Sequence, residues 1–130
     1  MKTILIVDDE YGLVETLTDL LEHAGYRVVS AANGKDGLMH AEKEKPDLIV
    51  TDFMMPISDG MELVRGVRSS QALRALPVVM MSATRKDVAL SGQSKAGTPR
   101  VTAFLHKPFE LEELLDTIKR LIGKGEARKR

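Results

Sequence analysis

The sequence predicts an α/β fold: five β-α units wound into a sheet of five parallel strands with helices on both faces. Two observations carry this. Short apolar runs, bounded by turn-forming residues, alternate along the chain with longer stretches whose apolar residues recur every third or fourth position. The runs are also continuous rather than alternating, the pattern of strands buried on both faces. Crossovers between them should be right-handed.

Thr3 to Val7 is rich in β-branched residues and reads as the first strand, ending at Asp8-Asp9-Glu10. A helix from about Tyr11 to Ala24 follows, with Leu13, Val14, Leu17, Leu20 and Leu21 on one stripe. Gly25 suits the position just past its end. Arg27 to Ala31 is a shorter strand, Asn33-Gly34 is a break, and a second helix covers about Lys35 to Glu44. Pro46 cannot continue it. The third strand is Leu48 to Thr51, followed by Asp52 and a turn holding Pro56 and Gly60.

Asp59 with Glu62 three residues on is a helix-starting pair, and the third helix covers about Gly60 to Ser69, burying Met61, Val64 and Val67. Pro77 to Met81 is a fourth strand, closed by Ser82-Ala83-Thr84. From Arg85 to Arg100 the signals conflict. Asp87 to Leu90 is compatible with a helix, but Ser91-Gly92-Gln93-Ser94 and Gly97-Thr98-Pro99 are loop chemistry, so a short or frayed helix is expected. Val101 to Leu105 is the fifth strand, His106-Lys107-Pro108-Phe109 follows it, and a last helix from about Glu110 to Ile122 carries a clear apolar stripe.

Length suits one domain: 130 residues, 43% hydrophobic, bury a core without staples. The absence of cysteine excludes disulfides, thiolate metal sites and thiol catalysis. The apolar run before Asp8 is too short for a secretory signal, and no stretch reaches membrane-spanning length, so the cytoplasm is the expected location. Nineteen basic and nineteen acidic residues balance, which argues against direct nucleic-acid binding. Lys124, Arg128, Lys129 and Arg130 against Glu126 make a basic tail at 123–130, expected to be a solvated, disordered end.

Parallel strands in a wound sheet end on one edge, where ligands collect. Strand one then delivers Asp8 and Asp9, strand three Asp52, strand four Ser82 and strand five Lys107. Three crowded carboxylates repel one another unless a cation intervenes, and Mg2+ suits carboxylates that also leave room for water and phosphate oxygens. A carboxylate can be the nucleophile that forms an acyl phosphate. Lys107 would meet charge developing on the phosphoryl oxygens, and the Ser82 hydroxyl could donate to one of them.

Asp8-Asp9, then Asp52 with Met55-Pro56 and Asp59-Gly60, then Ser82-Ala83, then Lys107-Pro108-Phe109, in this order and spacing, resemble the receiver domain of two-component response regulators. The likeness spans about residues 1–122 and implies the flavodoxin-like strand order 2-1-3-4-5. It implies that Asp52 is phosphorylated by a histidine kinase or phosphotransfer protein. Asp8, Asp9, Asp52 and the backbone carbonyl of Met54 would hold Mg2+. Ser82 and Lys107 would contact the phosphoryl group, and Phe104 would be the switch aromatic. It also implies a cis Lys107–Pro108 bond.

The resemblance describes a signalling domain, not an enzyme beyond slow self-catalysed phosphorylation and dephosphorylation. Output would pass to a downstream target protein, from a monomer or a weak phosphorylation-linked dimer. The segment between Ser82 and Lys107 departs from the family in being longer and rich in Gly, Ser and Pro, which puts the usual output surface and dimerisation in doubt.

Taken singly, these residues have plain readings. Asp8-Asp9 can favour a helix start, Lys107 can be a surface lysine, Ser82 a turn residue and Phe104 core. The histidines His23, His40 and His106 have no metal-ligand spacing, and the seven methionines read as core filler. Two other functions fit parts of the pattern. A phosphorylation-independent interaction module would suit the irregular segment. An aspartyl-phosphate phosphohydrolase would suit the chemistry, but such enzymes carry a nucleophile-x-Asp motif on the first strand, where this chain has adjacent acids.

Overall fold

The computed structural model describes residues 1–83 and 100–125. In chain order they form β1 (Thr3–Val7), α1 (Tyr11–His23), β2 (Arg27–Ala31), α2 (Gly34–Glu44), β3 (Leu48–Asp52), α3 (Gly60–Ser69), β4 (Val78–Ser82), β5 (Ala103–His106) and α4 (Leu111–Ile122). The strands make one parallel sheet in the order β2-β1-β3-β4-β5, as expected. The short helix anticipated around Asp87 to Leu90 and most of the basic tail lie outside the described residues, at positions within 84–99 and 126–130. Gly123 still belongs to the domain: its carbonyl accepts the Tyr26 hydroxyl at 2.6 Å.

The helices cover both faces. Ile4, Ile6, Val50, Val79, Met81 and Leu105 pack against Leu17 and Leu21 of α1 and Leu114 and Ile118 of α4. On the other face Leu5, Val7, Ile49, Val78 and Met80 meet Ala41 of α2 and Leu63, Val64 and Val67 of α3. All five residues of β1, β3 and β4 are buried, which is why these strands read as unbroken apolar runs. Each fully buried aliphatic side chain contributes about 1.5–3 kcal/mol.

Element ends differ from the sequence reading by a residue or two, each for a hydrogen-bonding reason. α2 begins at Gly34 because Asn33 is its cap, with Oδ1 accepting the Asp36 N–H at 2.9 Å. β3 reaches Asp52 because the Phe53 N–H still donates to the Met81 carbonyl at 2.8 Å. β4 starts after Pro77 and runs through Ser82, whose carbonyl accepts the Lys107 N–H at 2.8 Å. β5 starts at Ala103 rather than Val101: the Val78 N–H goes to the Thr102 hydroxyl at 3.0 Å instead of to main chain.

α3 opens with a full capping box between Asp59 and Glu62, and that phase buries Leu63 with Val64 and Val67, leaving Met61 partly exposed. The methionines divide. Met80 and Met81 are core, whereas Met1, Met39 and Met54 are largely exposed.

Candidate functional site

The site sits where β1, β3, β4 and β5 end. β1 hands over to Asp8, whose N–H still donates to the Ala31 carbonyl at 3.1 Å, so its position is held by the sheet. The Asp8 side chain is buried and its Oδ1 accepts the Glu10 N–H at 2.8 Å. It does not cap α1: Glu10 is the cap residue, and its side chain makes no cap bond. Asp9, next along, is exposed.

Asp52 is the last residue of β3, buried, and in register with Met81. The main chain behind it is fixed by a close approach. The Gly60 N–H donates to the Phe53 carbonyl at 3.0 Å, and a Cβ at Gly60 would run into the Asp52 carbonyl oxygen, far inside van der Waals contact. Gly60 therefore does more than start a helix; it lets α3 begin directly against the backbone of Asp52. Sequence reasoning placed Gly60 in the turn but had no signal for this contact.

Among the described residues, Lys107 is the cation of the pocket. Its Nζ lies 3.2 Å from Asp52 Oδ1 and 3.4 Å from Asp8 Oδ2. Ladder geometry delivers it, since Ser82 pairs with His106 and its carbonyl takes the Lys107 N–H. The Lys107–Pro108 bond is cis, as the resemblance implied. Burial alone would depress the Lys107 ammonium, but the Asp8 and Asp52 carboxylates outweigh it and hold it above the ordinary lysine value. Asp52 is pushed up, first by burial and then by the Asp8 charge, with Lys107 pulling the other way.

One lysine thus does not fully relieve the acids. Asp8, Asp9 and Asp52 each offer a carboxylate oxygen, all within 4.8 Å of one another, an all-oxygen set suited to a hard divalent ion. Met54, whose carbonyl the resemblance assigns to the same ion, lies two residues beyond Asp52 with its side chain exposed.

Ser82 is buried at the end of β4, next to the strand carrying Asp52. Phe104 stands further back in the sheet, opposite Met80 and partly buried against the α2/α3 layer. The structure therefore gathers Asp8, Asp9, Asp52 and Lys107 in one pocket, sets Ser82 on the same edge, and leaves Phe104 in the packing. His23 and His106 are exposed, and no histidine joins a metal-ligand group among the described residues.

A doubly wound α/β domain with a cation-ready acidic pocket at the carboxyl edge is thus defined by fold and site. Residues 4–119 match the response regulator receiver domain, and the chain belongs to that family, the phosphoacceptor domains of two-component signalling. It is 33% identical to the protein PilH of Pseudomonas aeruginosa, over 95% of this chain and 99% of that one. It is 34% identical to the alkaline phosphatase synthesis transcriptional regulatory protein PhoP of Bacillus subtilis over 96% of this chain, which spans only 50% of PhoP.

The chain thus spans about half the length of the transcriptional regulators among its curated relatives. Among solved structures, the chemotaxis response regulator CheY4 of Vibrio cholerae superposes with a TM-score of 0.84 at 32% identity, covering 94% of this chain and 99% of that one. The receiver domain of the sensor histidine kinase PA1611 from Pseudomonas aeruginosa, determined with magnesium in its active-site cleft, gives 0.76 at 27% identity, covering 94% and 98%. No helix among the described residues is long and apolar enough to cross a membrane.

Proposed function

We propose that Asp52 is the phosphoacceptor, and that the placement of Lys107 Nζ between Asp52 and Asp8 is the observation that carries this reading. A carboxylate oxygen of Asp52 attacks the phosphorus of a phosphohistidine on a histidine kinase or phosphotransfer protein. The P–N bond breaks, its electron pair returns to the imidazole, and an acyl phosphate forms on Asp52. Lys107 is close enough to follow the charge onto the phosphoryl oxygens, and the Ser82 hydroxyl stands on the same edge to donate to one of them. Asp8 and Asp9, with Asp52 and the Met54 carbonyl, would hold Mg2+, which when bound offsets the repulsion between the acids and the incoming phosphoryl group. The magnesium in the PA1611 receiver supports that assignment.

An apolar cavity of about 400 Å³ opens beside Lys107, between Leu13 of α1, Phe109 before α4 and Leu111 at the start of α4, and offers the donor protein a surface next to the acceptor. Added phosphate charge at Asp52 draws Ser82 inward and shifts the output surface, with Phe104 following. Output passes to a target protein in the cytoplasm, and turnover is confined to slow self-catalysed gain and loss of the phosphoryl group.

Incubation with acetyl phosphate and Mg2+, followed by intact-mass measurement, tests the proposal. A single phosphate adduct is expected, lost on chelation and lost in Asp52→Asn. An adduct that persists in Asp52→Asn moves the chemistry elsewhere.

A further inference from the structure

We propose that the amino edge of the sheet carries an oxyanion site, built from Arg68, Arg74, Arg100 and Thr102, that binds a phosphate-type dianion, free or carried on a small molecule. A cavity of about 300 Å³ opens there, lined by these four residues with Ala75 and Pro77, so three arginines and a threonine line one space and, among the described residues, no acid does. The chain has 19 acidic residues, so this exclusion is not for want of acids.

The arginines are organised rather than scattered. Arg68, in the last turn of α3, donates from Nε to the Arg100 carbonyl at 3.0 Å and from Nη1 to the Arg74 and Leu76 carbonyls at 2.8 and 2.6 Å. One guanidinium thereby ties the backbones of the other two arginines to itself, and these bonds use its Nε and Nη1, with none from Nη2 to the described residues. The ordering cost of one of the three guanidinium groups is thus already met within the fold, and the backbones that carry the other two are fixed beside it. Arg74 and Arg100 are exposed and make no ion pair among the described residues. Burial and then the Arg100 charge push the Arg68 guanidinium below its ordinary value, a repulsion that an anion between them would relieve. Thr102 adds a donor: its oxygen accepts the Val78 N–H at 3.0 Å, which leaves its O–H proton for a ligand. Forked guanidinium donors around a hydroxyl match the oxygens of a phosphate group.

The cavity lies at the opposite strand ends from Asp52, so the proposal stands or falls apart from the phosphoacceptor reading. The test is a titration of the 15N-labelled protein with inorganic phosphate, in chelator and at constant ionic strength. Phenyl phosphate and a glutamate-rich peptide serve as parallel arms. Saturable shifts of the Arg74, Arg100 and Thr102 amides and the Arg68 Nε–H are expected, with a Kd on the order of 1–10 mM for inorganic phosphate. Tighter binding of phenyl phosphate would mark a carried phosphate, and equal binding the free ion. The double variant R74Q/R100Q, which touches only exposed side chains and leaves Arg68 in place, should bind roughly tenfold or more weakly. Asp52→Asn should bind as the wild type does. Shifts that never saturate, that survive in R74Q/R100Q or that vanish in Asp52→Asn would overturn the proposal. So would binding of the peptide without binding of either phosphate, which would assign the surface to an acidic protein segment.

Discussion

Among the described residues, three carboxylates share a pocket with one ammonium at the carboxyl edge of the sheet, and three arginines line a cavity with no acid at the amino edge. The first cluster is held by the strands themselves, each charged residue lying at or just past a strand end. The second is held by one side chain, Arg68, reaching three carbonyls across loops. The difference separates two ways of storing like charge. Where the strands impose the crowding, the charges cannot spread, and relief must come from a built-in cation and a bound ion. Where a side chain imposes it, two of the three arginines remain free to extend into water.

The largest effect should come from breaking the acidic cluster's own relief. Lys107→Ala removes the cation that touches both Asp8 and Asp52, and phosphorylation by acetyl phosphate should slow by roughly 100-fold or more, read as the rate of adduct formation. Wild-type rates in the variant would show that Lys107 only balances charge at rest. Next, Gly60→Ala forces a methyl group into the Asp52 carbonyl and should cost about 3 kcal/mol of stability in a urea titration. A near-neutral result would mean that α3 can slide away from the site.

At the other edge, Arg68→Ala strips three carbonyls of their donor and should cost about 2 kcal/mol, whereas Arg74→Gln should stay within about 0.5 kcal/mol. Equal losses would contradict the division of labour among the arginines. The smallest effect concerns Asp52 in metal-free buffer. Its carboxyl is raised in the folded chain, so the native state holds its proton to higher pH than the unfolded state does. Stability should then fall as pH rises from the ordinary carboxylate range through the raised value. Asp52→Asn should lose that slope and melt about 2 °C higher at neutral pH, a difference kept small by solvent screening. A melting-temperature series against pH reads both.

Much of the acidic edge was legible in the chain. Asp8, Asp9, Asp52, Ser82 and Lys107 each follow an apolar run, and parallel winding sends such ends to one side. The basic edge was not. Arg68, Arg74 and Arg100 stand in a helix end and in loops, where spacing carries no period, and they meet only because Arg68 bonds carbonyls of residues up to 32 positions away. Asn33 passed as a break in the pattern although it is a cap, because a cap and a turn use the same residue types.

The chain by itself determined the fold class, the strand succession and the residues at the carboxyl ends, because burial on both faces writes itself as unbroken apolar runs and leaves polar residues only where the runs stop. Tertiary structure alone decided which charges touch. That Lys107 reaches both acids, that Gly60 has no room for a side chain, and that three arginines close on one cavity depend on distances between segments far apart in sequence. Periodicity records which way a side chain faces, and only packing records what it faces.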